Sequence, residues 1–427
     1  MKKRIIIIAS LILIVFCFIY KKRSNKPHNT YEHMAPYARQ WQNKDKKKII
    51  IFTGKGGQGH LSAAQALREY VGDAYEIETI CPIEDILGEL DFIHTITFGN
   101  FYAEQLYNYC LTHHHIWLVD AMVWSGLQVF AYKYETIKNL IYNYLQEKRP
   151  DLILSVITMV NGVTAQAAQE LHIPFWVIPT DLDPSIFLYT LHAPSSPQFF
   201  FNIPYNLPEL YEHISVANIP DTQITYAGFP VRKQFLQSYN HLVVKQEYGI
   251  PINKPVVMLM MGGLGIGETI PFVQELAKIN TPVHYLICIG KNESLRPRIE
   301  KILHNNASEA ITYSIIGFTP TIAPLMAISD ILITKSGGAT INEALYLEIP
   351  MIIDGTSRAP QWEYYNRSFI ANNECGILLK KVKKLSIILS DLLHNPNKIA
   401  AMKVAIQHIS KPNPEHIIRN TIATLLK

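Results

Sequence analysis

The sequence predicts an α/β protein with two Rossmann-like, doubly wound parallel sheets, preceded by an N-terminal transmembrane helix. Three observations predict it. Short apolar runs ending in glycine, proline or a polar pair recur along the chain, alanine-rich stretches of helical spacing alternate with them, and the alternation stops at a polar stretch near Lys245–Lys254 and starts again. A length of 427 residues accommodates two full cores at roughly 150 residues per domain. With 48% hydrophobic and 17% charged residues, the composition is globular. A net charge of +4 gives no reason to expect nucleic acid as a partner. The five cysteines, Cys17, Cys81, Cys110, Cys288 and Cys375, are far apart and odd in number, so they read as reduced thiols.

Residues 1–23 come first. The 16-residue run Ile5–Tyr20 lies between MKKR and KKR. As a helix it spans about 24 Å, and flanking Lys and Arg can cover the shortfall against a core of about 30 Å. The heavier positive charge follows the run, which places the body of the protein in the cytoplasm. The same basic cluster should attract anionic lipid headgroups, at about 1 kcal/mol per charge. Residues 24–47 read as a polar linker.

The first domain is expected over residues 48–240. It opens on KKIIIFTG (Lys47–Gly54), a buried parallel strand, and HLSAAQALREYV (His60–Val71), a helix. DLILSVIT, FWVIPTD and ITYAGFP continue the alternation. Between Phe92 and Tyr144 the chain is rich in Tyr, Trp and Phe on helical spacing, which suits core and also a surface lying at a membrane interface. Consecutive residues of a helix point in different directions, so the triple His113–His115 reads as a surface loop and not a metal site. The second domain is expected over residues 250–395, from PVVMLMMGGLGIG through VHYLICIG, ITYSIIGF, DILITKSGG and PMIIDG. Residues 396–427 are C-terminal helices able to cap either domain.

Two glycine turns end the first strands of the two halves, TGKGGQGH (Thr53–His60) and MGGLGIGE (Met261–Glu268). Neither meets the dinucleotide pattern or the P-loop pattern, which counts against nicotinamide redox and ATPase chemistry. A third turn carries more. After ILITK, residues Ser336, Gly337 and Gly338 let the backbone approach a ligand, and a helix from about Thr340 offers unpaired N–H groups to a diphosphate. Glu343, one turn on, suits a ribose diol; an ordinary dipole-favoured acid is the alternative.

SDILITKSGGATINEALYLEIPMII followed by QWEYYN (Gln361–Asn366) resembles the donor-binding signature of the inverting GT-B glycosyltransferases of family 28. The similarity is greatest to the diacylglycerol branch, the monogalactosyldiacylglycerol synthases and processive diacylglycerol glucosyltransferases. GFPVRKQF, GFTPTIAPLM, Met261–Gly267 and GQGHLSAAQAL resemble further motifs of that family. The resemblance implies two Rossmann-like domains facing a cleft and an active site between them. It implies that Lys335, Ser336, Gly337, Gly338, Ala339 and Thr340 hold a UDP diphosphate, with Gly263 and Gly265 beside it. Glu343 would then take the ribose, Phe318 the uracil, and Glu363 and Asn366 the sugar or phosphates. On the acceptor side it implies Gly57 and Gly59, with His60 as the base and Asp181 as a second base candidate, for which a solvated N-cap is the structural alternative.

The sequence departs from the family in two places. Trp362 separates Gln361 from Glu363, and TDLDPSIFLYT lacks a His and a Trp found in many of the diacylglycerol branch. The implied partners are a UDP-hexose and a membrane lipid acceptor, diacylglycerol first, with no metal and no cofactor. A lipid II-type N-acetylglucosaminyltransferase, a UDP-sugar 2-epimerase-like protein and a non-catalytic GT-B protein are the alternatives.

Overall fold

The computed structural model describes residues 46–427 apart from 92, 95–100, 114, 192–195, 216, 263–268 and 410. The expected transmembrane helix, nearly all of the linker, Gly263 and Gly265 therefore lie outside the described residues. Among the described residues no helix is long and apolar enough to cross a membrane.

The first sheet contains β1 (Lys48–Phe52), β2 (Glu76–Ile80), β3 (Leu152–Ser155), β4 (Phe175–Val177), β5 (Phe199–Asn202) and β6 (Ile224–Thr225). All neighbours pair in parallel, in the order β2-β1-β3-β4-β5-β6. Ile49, Ile50, Ile51 and Phe52 are all fully buried, as expected of a strand covered on both faces. The strand order turns back between β1 and β3, whose register pairs Phe52 with Ser155. Their carboxyl ends therefore diverge and open a crevice. Thr53–His60 leaves one side of that crevice and Val156 the other.

The second sheet repeats the device with β7 (Val256–Met260), β8 (Val283–Gly290), β9 (Ile311–Gly317), β10 (Ile331–Thr334), β11 (Met351–Asp354) and β12 (Gly376–Leu379). Its order is β12-β11-β10-β7-β8-β9, again all parallel. The switch falls between β10 and β7, where Thr334 pairs with Met260. The turns after those two strands hold Lys335–Gly338 and the glycine-rich segment from Met261.

The helices that shape the site and its surroundings are α1 (Gly59–Val71), α2 (Ala103–Thr112), α3 (Ile116–Tyr132), α4 (Tyr134–Lys148), α5 (Gly338–Tyr346), α6 (Tyr364–Asn372), α7 (Pro396–His408) and α8 (Pro414–Leu425). Helix α5 begins at Gly338, two residues before the start expected from sequence. Helix α8 returns to the first domain, where Ile418 and Ile422 are fully buried with Ile49, Leu67, Trp176 and Ala227. The aromatic segment is α2, α3 and α4. Only Ile116, Leu118 and Val119 of α3 are buried, while Trp117, Trp124 and Tyr132 are exposed. His113 sits exposed at the end of α2 and His115 starts α3, with His114 outside the described residues.

Candidate active site

On the second domain the site is built around a buried hydroxyl. Ser336 is fully buried, and its Oγ donates to Glu363 Oε2 at 3.0 Å while accepting from Arg367 Nε at 3.2 Å. Arg367 is itself buried, donates to the Ser357 carbonyl at 2.9 Å and lies over the Tyr364 ring. Asn366 Nδ2 donates to the Ser336 carbonyl at 2.8 Å. The hydroxyl and the carbonyl of Ser336 are thus satisfied from below by α6 and the turn before it. The first N–H groups of α5, at Gly338, Ala339 and Thr340, cannot find partners within the helix and carry its positive dipole end. Lys335 runs beside the switch point: a Cβ on Gly262, at φ +101°, would lie 3.2 Å from Lys335 Cε.

Glu343 is 5% exposed, and its Oε1 accepts from Arg232 NH2 at 3.0 Å. Arg232 comes from the segment that leaves the first domain, and its NH1 donates to the Pro320 carbonyl at 3.2 Å. Burial pushes the Glu343 carboxyl up, and Arg232 opposes the shift. Phe318 stands open to solvent with Lys291 Nζ 4.9 Å above its ring, a flat face available for stacking.

On the first domain His60 occupies the second position of α1. Its Nδ1 lies 2.6 Å from the Val156 carbonyl and 3.0 Å from Thr180 Oγ1. A carbonyl can only accept, so Nδ1 carries the proton and Nε2 keeps its lone pair. Burial pushes the imidazole pKa down, which keeps the ring neutral. Gly57, at φ +77°, is in the left-handed region that glycine tolerates, and its N–H donates to Asn108 Oδ1 at 2.8 Å.

The two halves touch at these turns. A Cβ on Gly59 would sit 4.0 Å from Ala339 Cβ, and one on Gly338 would sit 2.6 Å from the Thr180 carbonyl and 2.8 Å from Asp181 Oδ1. Asp181 is 8% exposed, so it is not a solvated N-cap; Asp183 does the capping, accepting from Ser185 N at 3.0 Å. Burial, then the Glu363 carboxylate, hold Asp181 well above the carboxylate range, while Asn366 and Lys335 oppose them. The Leu182 N–H donates to Asn366 Oδ1 at 3.3 Å, and Tyr205 of the first domain donates to Asn342 of α5. His60, Asp181, Ser336, Gly338, Glu363 and Asn366 are thus one constellation, with Glu343 and Phe318 further along the donor side.

Residues 261–416 match the glycosyltransferase family 28 C-terminal domain. The likeness to that family's domain thus lies in the second half of the chain. It is 23% identical to a processive diacylglycerol beta-glucosyltransferase of Staphylococcus carnosus over 89% of this chain and 93% of that protein. It is 26% identical to the chloroplastic monogalactosyldiacylglycerol synthase 1 of Arabidopsis thaliana over 81% of this chain and 64% of that one. Among solved structures it is similar to Acinetobacter baumannii MurG, with a TM-score of 0.58 at 12% identity over 89% of this chain and 99% of MurG. Staphylococcus aureus MnaA with UDP follows at a TM-score of 0.55 and 12% identity, over 89% and 97%. These likenesses establish the GT-B fold.

Four residues of this site are not marked by the sequence. Arg232 lies inside GFPVRKQF, and nothing in that motif points to Glu343. Arg367 directly follows Asn366, and its contact with Ser336 depends on α6 packing under the turn. Tyr107 and Asn108 lie in the aromatic segment, where no local spacing marks them. Tyr107 packs over Gly56, where a Cβ would be 3.4 Å from two ring atoms. Gln361 is exposed, apart from the buried network.

Proposed function

We propose that the protein is an inverting glycosyltransferase that moves a hexose from a UDP-sugar to the hydroxyl of a membrane lipid, with diacylglycerol as the acceptor. One observation carries the reading: a neutral imidazole with a committed tautomer lies at the start of α1, whose Gly59 meets Ala339 across the cleft at the anion-ready start of α5.

In this reading the UDP diphosphate sits on the N–H groups of Gly338, Ala339 and Thr340, beside Lys335. Phe318 stacks on the uracil, and Glu343, positioned by Arg232, takes the ribose. The acceptor hydroxyl enters beside Gly57–His60 and gives its proton to His60 Nε2. Its oxygen attacks the anomeric carbon as the bond from that carbon to the β-phosphate oxygen breaks, and a UDP-α-sugar gives a β-glycoside. Preorganised N–H donors meet the charge that develops on UDP, each worth about 3 kcal/mol in comparable sites. Lys335 and the helix dipole supply the positive field, so we infer that no metal is required. Asp181 is held toward its neutral form, which favours His60 as the base and leaves Asp181 to line the contact between the domains. The apolar run Ile5–Tyr20 and its basic flanks, outside the described residues, suit a chain working on the cytoplasmic face of a membrane.

The test is incubation of the full chain with diacylglycerol vesicles and radiolabelled UDP-glucose or UDP-galactose. Label in the organic phase, retained in EDTA, supports the proposal. Label confined to nucleotide and free sugar, or to a peptidoglycan precursor in membranes that contain one, overturns it.

A further inference from the structure

We propose that Trp362 is a positioning residue that ties the donor-side Glu363 to the α2–α3 hairpin, which also holds the acceptor-side glycine turn. Trp362 is the residue inserted between Gln361 and Glu363. It is half-buried and packs against the small apolar cluster of Cys110, Leu118 and Val119, with Met122 alongside. It lies in the 3-10 turn Gln361–Glu363, so the place of its ring sets the place of the next side chain. That side chain is the carboxylate that accepts from Ser336 Oγ at 3.0 Å. A second tie runs beside it: Arg358 NH2 meets Asp120 Oδ2 of α3 at 2.8 Å. Arg358 is 59% exposed, and an exposed ion pair contributes little, so the aromatic contact is the stronger tie.

The same hairpin grips the acceptor turn. Glu104 Oε1 accepts from the Lys55 N–H at 3.1 Å. Asn108 accepts from the Gly57 N–H at 2.8 Å and donates to the Lys55 carbonyl at 2.8 Å, and the Tyr107 ring covers Gly56. The N-terminal part of α2 therefore pins the turn that leads to His60. The end of α2 and the start of α3 receive the residue that leads to Glu363. A two-domain transferase must hold base and donor in register within about 1 Å, and one element bridging both turns does so. Cutting the tie at Trp362 should leave each half-site folded while releasing the register between them.

Kinetically the inference rests on the proposed transfer reaction; its structural part does not. Trp362→Ala and Trp362→Phe are made in the full chain, with hexose transfer, UDP affinity and amide hydrogen exchange measured on both. Trp362→Ala is expected to lower kcat at least 10-fold and leave the Kd for UDP within 2-fold. Its exchange should rise together at residues 54–60 and 361–367, and Trp362→Phe should restore most of both properties. Exchange rising at 361–367 alone, identical behaviour of the Ala and Phe variants, or UDP affinity falling in step with kcat would overturn it. The exchange result judges the tie even if wild type transfers no hexose, an outcome that would count against the proposed reaction alone.

Discussion

The turn after β1 and the turn after β10 occupy equivalent places, each at the switch point of a parallel sheet, and they are held in opposite ways. The turn after β10 is supported from beneath: Glu363, Asn366 and Arg367 all bond to Ser336, and the turn leads into a helix start suited to an anion. The turn after β1 is held from the side by Glu104 and Asn108 of α2, and it delivers an imidazole whose Nδ1 reaches across the switch point to Val156. Strand order makes the crevice in both sheets, and side chains decide what each can offer: a helix start suited to an anion in one, a buried imidazole in the other. The difference teaches that topology locates the two sites without assigning their chemistry.

His60→Ala tests that division most severely. Transfer should fall about 10²–10⁴-fold, the usual contribution of a positioned base, with UDP affinity unchanged in calorimetric titration. Because burial lowers the His60 pKa, the acid limb of the rate profile should lie below 6.5, the ordinary imidazole value. Gly338→Ala should come next. Its Cβ would meet the Thr180 carbonyl at 2.6 Å, so the turns must separate, and a displacement of about 1 Å costs about 100-fold in rate. Glu343→Gln keeps the shape and removes the charge that Arg232 meets. A charged hydrogen bond lost to the ribose is worth about 1.5–3 kcal/mol, so UDP affinity should fall roughly 10-fold or more while the acceptor side is untouched.

The remaining effect is on stability rather than activity and concerns the acceptor turn alone. Burial, joined by the neighbouring Glu84, pushes the Glu104 carboxyl up to about 7. That is above its unfolded value of about 4.3, so the unfolded chain binds fewer protons between these values. Stability should therefore fall as pH rises through that window, by up to about 4 kcal/mol in all. Glu104→Gln should flatten the slope in urea unfolding followed from pH 4 to pH 8, and an unchanged slope would remove Glu104 as its source.

Much of this was legible in the sequence for local reasons. Strands such as IIIF and ILIT are apolar without alternation because both faces are covered, and the turns after them announce themselves by glycine. Ser336, Glu363 and Asn366 were readable because a short motif carries them together. What escaped was long-range. Arg232 and Glu343 are 111 positions apart and Asn108 and Gly57 are 51 apart, and only the packed fold brings them together. Helix α8 crossing back to the first domain has the same origin, since an apolar face on Ile418 and Ile422 does not name its partner. Asp181 also could not be told from Asp183 by type; burial of one and capping by the other separates them.

Amide protection on adding UDP alone to the full chain tests most directly the proposed division of labour between the two crevices. Slowed exchange is expected at residues 335–343 and around Phe318, with residues 57–62 unaffected. Protection centred on residues 57–62, with residues 335–343 unmoved, would contradict it.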